Sequence, residues 1–119
     1  MIVVLDAADP AAEAAFWAGV LDGRVEADPS DGWHSIFVGD EHRLDVQYAP
    51  DHVRPEWPSG SPQQLHLDLY VPVLGPAHDR VMALGAELLQ ETTDPSATSS
   101  FQVYADPAGH PFCLCYAAR

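Results

Sequence analysis

Positive charge is scarce in this sequence of 119 residues. Five Lys and Arg residues stand against 18 Asp and Glu residues, which gives a formal net charge of -13 at pH 7. A surface with this charge repels phosphate backbones and anionic lipid headgroups. We therefore expect that neither nucleic acid nor a membrane surface is a partner.

Long apolar runs are also missing. No stretch of about 20 apolar residues is present that could span a bilayer, and the first residues do not resemble a signal peptide. These two absences predict a cytoplasmic protein. The glycines are too far apart to form a phosphate-binding loop.

Cysteine is limited to Cys113 and Cys115. On a strand, these two residues would share a face with their Cα atoms about 6.5–7 Å apart, near or beyond the limit for a disulfide. We therefore expect free thiols in a reducing compartment.

Polar and apolar residues alternate without a break over residues 64–71, the pattern of a half-buried β-strand. Because successive side chains point to opposite faces, one face is wholly apolar and must be buried. The other face carries an imidazole next to a carboxylate, from His66 and Asp68, followed by Tyr70. That second face either meets solvent or lines a pocket.

The same order of elements is predicted twice along the chain. The first half gives a strand at 1–5, a helix at 10–22, and strands at 24–27, 33–38 and 42–48, with a turn at 28–32. The second half gives a strand at 64–71, a helix at 74–84, and strands at 87–91, 101–105 and 112–116, with a loop at 92–99. Proline is concentrated in the stretch between the halves. We predict one domain with module 1 at about 1–49, a linker at about 50–63 and module 2 at about 64–119.

The order and spacing of several short pieces resemble the glyoxalase / bleomycin resistance / dioxygenase superfamily, also called vicinal oxygen chelate proteins. The pieces are Val3-Val4-Leu5-Asp6, Asp9-Pro10, Phe16-Trp17, Leu21-Asp22-Gly23, Leu65-His66-Leu67-Asp68-Leu69, Leu84-Gly85-Ala86 and the run from Ala105 to Leu114. The chain looks most similar to the small glyoxalase-like domain branch. This resemblance implies an α+β fold, in which two β-α-β-β-β modules pair into an open, cup-shaped mixed β-sheet with the helices outside. It also implies a small-molecule ligand in the cup and a homodimer, with cups formed within one chain or between chains.

Strand parity then predicts which side chains face the helices and which line the cup. The helix-facing set is Val3, Leu5, Leu44, Val46, Tyr48, Leu65, Leu67, Leu69, Phe112, Leu114 and Tyr116. The cup-facing set is Ile2, Val4, Asp6, Asp45, Gln47, His66, Asp68, Tyr70, Cys113 and Cys115.

Metal-using members of the family place ligands at four positions, which the resemblance maps onto Ile2, Asp45, His66 and Cys113. Ile2 cannot coordinate a metal, and Cys113 stands where a carboxylate is expected. We therefore predict no cofactor. The alternative is a divalent metal held by His66, Asp45 and Cys113.

Three functions remain open, and whether the protein is an enzyme remains open with them. The first is a resistance-type binder that sequesters an aromatic or cationic drug, which the negative charge would attract. Its predicted ligand-binding residues are Trp33, Gln47, Trp57, His66, Asp68, Tyr70, Tyr104 and Cys113. The second is a metal-independent isomerase or lyase, in which His66 moves a proton with the help of Asp45 or Asp68. The third is a metal-dependent lyase or dioxygenase.

Overall fold

The computed structural model describes residues 1–28, 30–92 and 100–119. In chain order its elements are β1 (Val3–Ala7), α1 (Pro10–Leu21), β2 (Arg24–Asp28), β3 (Trp33–Val38), β4 (Glu41–Tyr48), β5 (Leu67–Val73), α2 (Leu74–Leu84), β6 (Glu87–Gln90), β7 (Ser100–Ala105) and β8 (Pro111–Ala118). This order confirms the α+β class and the repeated β-α-β-β-β pattern.

The chain divides into two compact units, Met1–Val53 and Arg54–Arg119. The division falls inside the stretch predicted as a linker, residues 50–63. Residues from 54 onward belong to the second unit, where the Arg54 guanidinium donates to the Pro107 carbonyl at 2.6 Å. Arg54 also lies 3.6 Å from the Glu87 carboxylate. The segment before β5 is thus held against its own unit.

The first unit is a four-stranded mixed sheet in the order β1-β4-β3-β2. Strand β1 runs parallel to β4, and the other pairs are antiparallel. Helix α1 covers one face of this sheet and contributes Phe16 and Trp17, whose rings meet edge to face at 5.2 Å. The buried side chains that the strands contribute are Leu5, Ala7, Ile36, Leu44 and Val46. Burying each large apolar side chain stabilises the unit by roughly 1.5–3 kcal/mol.

Helix α1 begins and ends close to the predicted residues. The Asp9 carboxylate caps its first turn by accepting from the Ala12 amide at 3.2 Å, and Pro10 occupies the first helical position. At the other end, Asp22 adopts the left-handed conformation with φ of 57°. Gly23 then donates from its amide to the Ala18 carbonyl at 2.8 Å.

The second unit repeats this arrangement with the sheet order β5-β8-β7-β6, in which β5 runs parallel to β8. Helix α2 covers one face and buries Leu74 and Val81. The buried strand residues of that face are Gln102, Tyr104, Phe112, Leu114 and Tyr116. Each sheet therefore has one face packed under its helix, as strand parity predicts.

Three details of the predicted faces are wrong. Strand β5 begins at Leu67 rather than residue 64 and continues through Pro72 to Val73. As a result, Leu65 and His66 precede the strand, and Leu65 is exposed instead of buried. Tyr48 is 51% exposed because it is the last residue of β4, where the sheet ends.

Two predicted loops fall partly outside the described residues: the turn at 28–32 includes residue 29, and the loop at 92–99 includes residues 93–99. Within the described residues, no helix has the length and apolar character needed to cross a membrane.

Candidate functional site

The sheet face opposite α1 carries polar and aromatic side chains, and we call it the first open face. Two cross-strand rows define it: Val4, Asp45, Ser35 and Glu26 in one, and Asp6, Gln47, Trp33 and Asp28 in the other. The neighbouring residues of the same strands are the buried ones under α1. Asp45, Gln47 and Trp33 are thus brought to one face, as predicted.

A histidine that the sequence did not single out also reaches this face. His42 Nε2 lies 2.6 Å from Asp45 Oδ1, and the imidazole stacks on the Phe37 ring at 4.9 Å. The guanidinium of Arg24 also lies over this Phe37 ring, 5.1 Å from its centroid. Asp45 therefore has an imidazole partner within its own unit.

A β-bulge explains why His42 was missed. Residues three apart on a regular strand point to opposite faces, so strict alternation separates His42 from Asp45. The register shifts between the pairs Ile36–Leu44 and Phe37–His42, which leaves Arg43 as an extra residue on β4. The extra residue turns His42 onto the same face as Asp45. An uneven register of this kind leaves no clear trace in the hydrophobic pattern.

The face opposite α2 is the second open face. Its two cross-strand rows are Asp68, Cys113 and Val103, and Tyr70, Cys115 and Phe101. Tyr70 is 83% exposed and Phe101 is 49% exposed. Of the predicted residues, the structure thus brings Asp68, Tyr70 and Cys113 together.

An open hollow of about 610 Å³ lies at one end of this face. It is lined by Tyr70, Val71, Pro72, Ser100, Phe101, Cys115, Tyr116 and Ala117. Tyr116 has a buried hydroxyl oxygen for which the described residues provide no hydrogen-bond partner. The hollow combines aromatic walls with polar groups, as small-molecule sites do, and its volume is in the usual range for them.

Both thiols of the second open face are held in the neutral form at neutral pH. Burial, the Asp68 carboxylate and the nearby Cys115 together raise the pKa of Cys113 to about 11. Burial and Asp68 also raise the pKa of Cys115. Because the thiolate is the reactive form, neither cysteine has the environment of a nucleophile.

His66 and Asp68 form a loose pair. His66 Nε2 lies 3.5 Å from Asp68 Oδ1, and both side chains are nearly half exposed. His66 precedes β5, so its side chain is not fixed by the sheet in the way that Asp68 is. An exposed pair of this type contributes about 0–1 kcal/mol to stability.

Tyr104, one of the predicted ligand-binding residues, is not brought to the open face. It is fully buried on the side covered by α2, where its hydroxyl lies 2.7 Å from His78 Nδ1. Gln102 Nε2 donates to the same hydroxyl at 2.9 Å. Tyr104 pairs with the buried Phe112, and Cys113 is the next residue after Phe112 on β8. Strand alternation therefore places Tyr104 and Cys113 on opposite faces of the sheet. Trp57 is half-buried in the segment that precedes β5.

The donor set at the four family metal positions is incomplete. Ile2 offers no ligand atom, and the Cys113 thiol keeps its proton up to a pKa of about 11. Asp45 Oδ1 is already engaged by His42. These residues do not fit the four-ligand metal of the family, and we assign no catalytic step to such a metal.

The sequence and the fold were compared with known proteins. A family model described as "Glyoxalase-like domain" matches residues 2–115. A search of curated proteins gave no significant match. The fosfomycin resistance protein FosX from Listeria monocytogenes superposes with a TM-score of 0.72 at 13% identity, over 98% of this chain and 90% of that chain.

Two other solved structures are similar. A glyoxalase/bleomycin resistance protein/dioxygenase family enzyme from Burkholderia phytofirmans PsJN has a TM-score of 0.70 and 15% identity, with 98% of this chain and 96% of that chain covered. TioX from Micromonospora sp. ML1 has a TM-score of 0.66 and 16% identity, with 98% and 97% covered. At these identities the likeness shows a common fold.

Proposed function

Because the chain belongs to the glyoxalase-like domain family of the vicinal oxygen chelate superfamily, we propose that it binds a small organic molecule on the open faces of its sheets. The observation that carries this proposal is the hollow of about 610 Å³ beside Tyr70 and Phe101. A tyrosine exposed to 83% at the mouth of an apolar hollow is the kind of surface that a ligand covers. One protein of the same fold is a fosfomycin resistance protein, and on that likeness we propose a resistance-type binder.

The ligand we propose is aromatic and cationic. Tyr70 and Phe101 supply ring faces for stacking and for cation–π contact. Asp68 lies on the same open face, and the net charge of -13 raises the local concentration of cations.

The experiment is a fluorescence titration with berberine, a planar aromatic cation, beside an anionic aromatic dye of similar size. We expect saturable binding of the cation, weakened by salt, and little binding of the anion. Tyr70→Ala and Phe101→Ala should each raise the Kd roughly tenfold, the loss of ~1.4 kcal/mol typical of a central aromatic contact. The matched control is Tyr48→Ala, which removes an exposed tyrosine of the other unit. Equal affinities for wild type and both hollow variants would contradict the proposal.

A metal-independent isomerase or lyase is the second candidate, favoured by the contact between His66 Nε2 and Asp68 Oδ1. In it, His66 would move a proton and Asp68 would orient the imidazole. His66→Ala separates the candidates, since a binder should keep its affinity within a few-fold whereas an acid–base enzyme should lose about 10²-fold or more in turnover.

We also propose that the protein is a cytoplasmic homodimer. Both cysteines are free thiols, which is consistent with a reducing compartment. The family resemblance supports the dimer, and light scattering on the purified protein would test it directly. A monomeric mass at micromolar concentration would contradict the dimer without affecting the ligand proposal.

A further inference from the structure

The second unit has another cavity, of about 340 Å³, on the side of its sheet that α2 covers. This volume lies within the range of small-molecule sites. Among the described residues, none lines both this cavity and the hollow beside Tyr70 and Phe101. A ligand here is therefore independent of the proposed open-face ligand. Most of the lining is polar, from the side chains of His78, Asp79, Glu91, Thr92, Gln102 and Arg119.

Hydrogen bonds fix the orientation of Gln102, a wall residue that is only 6% exposed. The backbone amide of Thr92 can only donate, so the Gln102 atom 3.1 Å from it is the side-chain oxygen. The side-chain nitrogen of Gln102 then donates to the Tyr104 hydroxyl at 2.9 Å. This nitrogen carries two protons, and the bond to Tyr104 uses one of them. The donor and acceptor ends of the buried amide are thus assigned.

The same chain of hydrogen bonds determines where His78 carries its proton. Tyr104 is fully buried, and its hydroxyl oxygen already accepts from Gln102. The hydroxyl proton needs a partner of its own, because an unpaired buried O–H group is costly. His78 Nδ1 lies 2.7 Å away and can accept this proton only if Nδ1 has none. His78, which lines the cavity, is then neutral and carries its proton on Nε2, where it is a donor.

The lining therefore combines groups that only accept with groups that donate. The carboxylates of Asp79 and Glu91 accept, whereas the side-chain nitrogen of Gln102 and Nε2 of His78 donate. An ammonium ligand has no acceptor for these N–H groups, and a carboxylate ligand has no donor for these oxygens. A hydroxyl group both donates and accepts. We propose that this cavity binds one small, uncharged, polyhydroxylated molecule of monosaccharide size.

The test is an NMR titration of the full chain with D-glucose, D-galactose and myo-inositol, followed at the side-chain amide of Gln102. Acetate, tetramethylammonium and L-alanine are the charged and zwitterionic probes for comparison. We expect saturable shifts at millimolar concentration with at least one of the three polyols. The absence of saturable shifts with all three polyols would overturn the proposal.

Variants of Glu91 and His78 test how the cavity recognises the polyol. Glu91→Ala should weaken binding several-fold, whereas Glu91→Gln should stay close to wild type because its amide oxygen still accepts. His78→Phe keeps a ring but removes the Nε2 donor, and it should raise the Kd roughly tenfold. Met82→Ala is the control, an exposed position of α2 outside the lining. If Glu91→Gln lost as much affinity as Glu91→Ala, the site would read charge and the uncharged ligand would be wrong.

The protonated nitrogen of His78 can be read on the unaltered protein. The ¹⁵N chemical shifts of its two ring nitrogens distinguish the tautomers at neutral pH. We expect the proton on Nε2, with Nδ1 accepting from Tyr104. A proton on Nδ1 would overturn the assignment of His78 as a donor to the ligand, even if His78→Phe failed to fold.

Discussion

His42 Nε2 lies 2.6 Å from Asp45 Oδ1 on the first open face, and the pair depends on the extra residue Arg43 in β4. Asp45 is the more buried partner, with 15% of its side chain exposed. The stacking of His42 on Phe37 fixes the imidazole in position over this carboxylate. Regular alternation would place these two residues on opposite faces of the sheet. Because of the bulge, they lie on the same face and form a polar pair.

We expect His42→Ala to destabilise the protein by about 0.5–1.5 kcal/mol, because Asp45 loses a hydrogen bond while it remains partly buried. Urea denaturation of the variant, of Asp45→Asn and of the double variant would measure the coupling between the two side chains. Arg43→Ala is the control, since Arg43 is the extra residue of the bulge and its guanidinium lies 3.8 Å from the exposed Glu41 carboxylate. Additive effects in the double variant would contradict the pairing.

The thiol of Cys113 should react slowly with alkylating reagents at neutral pH. With a pKa of about 11, only about one thiol in a thousand is ionised at pH 8, whereas an ordinary cysteine is ionised about a hundred times more often. Asp68→Asn should lower this pKa and speed the alkylation several-fold, as measured by peptide mass spectrometry across pH. The control is Asp79→Asn, a change on helix α2. Equal rates in all three proteins would contradict the role of Asp68.

The same raised pKa predicts how stability changes with pH. The folded protein keeps the Cys113 proton up to a pKa of about 11, above the ordinary value of 9.0. Between these pH values the folded state binds more protons than the unfolded state, so stability falls as the pH rises. The stability that the raised pKa of Cys113 contributes is present in full below about pH 9 and is lost above about pH 11. Cys113→Ser should flatten that part of the curve of unfolding free energy against pH.

Alternation predicted most of the fold and part of the site. The buried and open faces of β4 and β8 follow directly from their sequences, so Asp45 and Cys113 were placed correctly relative to α1 and α2. His42 was missed because a bulge adds one residue to the strand. Tyr104 was included among the ligand-binding residues for its aromatic ring. However, alternation along β7 places it on the sheet face that α2 covers, where it pairs with Phe112.

Tyr104→Phe tests that buried position. The substitution removes the hydroxyl that His78 Nδ1 and Gln102 Nε2 both contact, and Gln102 is itself buried. Leaving buried polar groups without a partner costs about 1–3 kcal/mol. Urea denaturation should show this loss, while Tyr70→Phe, at an exposed ring, should change stability by less than about 0.5 kcal/mol. If Tyr104→Phe left the free energy of unfolding unchanged, the hydroxyl would not hold these two side chains together.

Gly23 tests the close approach between the end of α1 and strand β3. A Cβ atom at this position would lie only 2.3 Å from the carbonyl oxygen of Phe37, so the backbone of β3 would have to move. We expect Gly23→Ala to destabilise the protein by about 1–3 kcal/mol, the usual cost of overpacking. Gly75→Ala is the matched control, because a Cβ atom at this position of helix α2 would lie 3.4 Å from the backbone oxygen of Arg119, an ordinary contact distance. There alanine should be neutral or stabilising by up to about 1 kcal/mol, owing to its higher helix propensity. Equal thermal shifts for the two variants would show that the contact with Phe37 does not constrain residue 23.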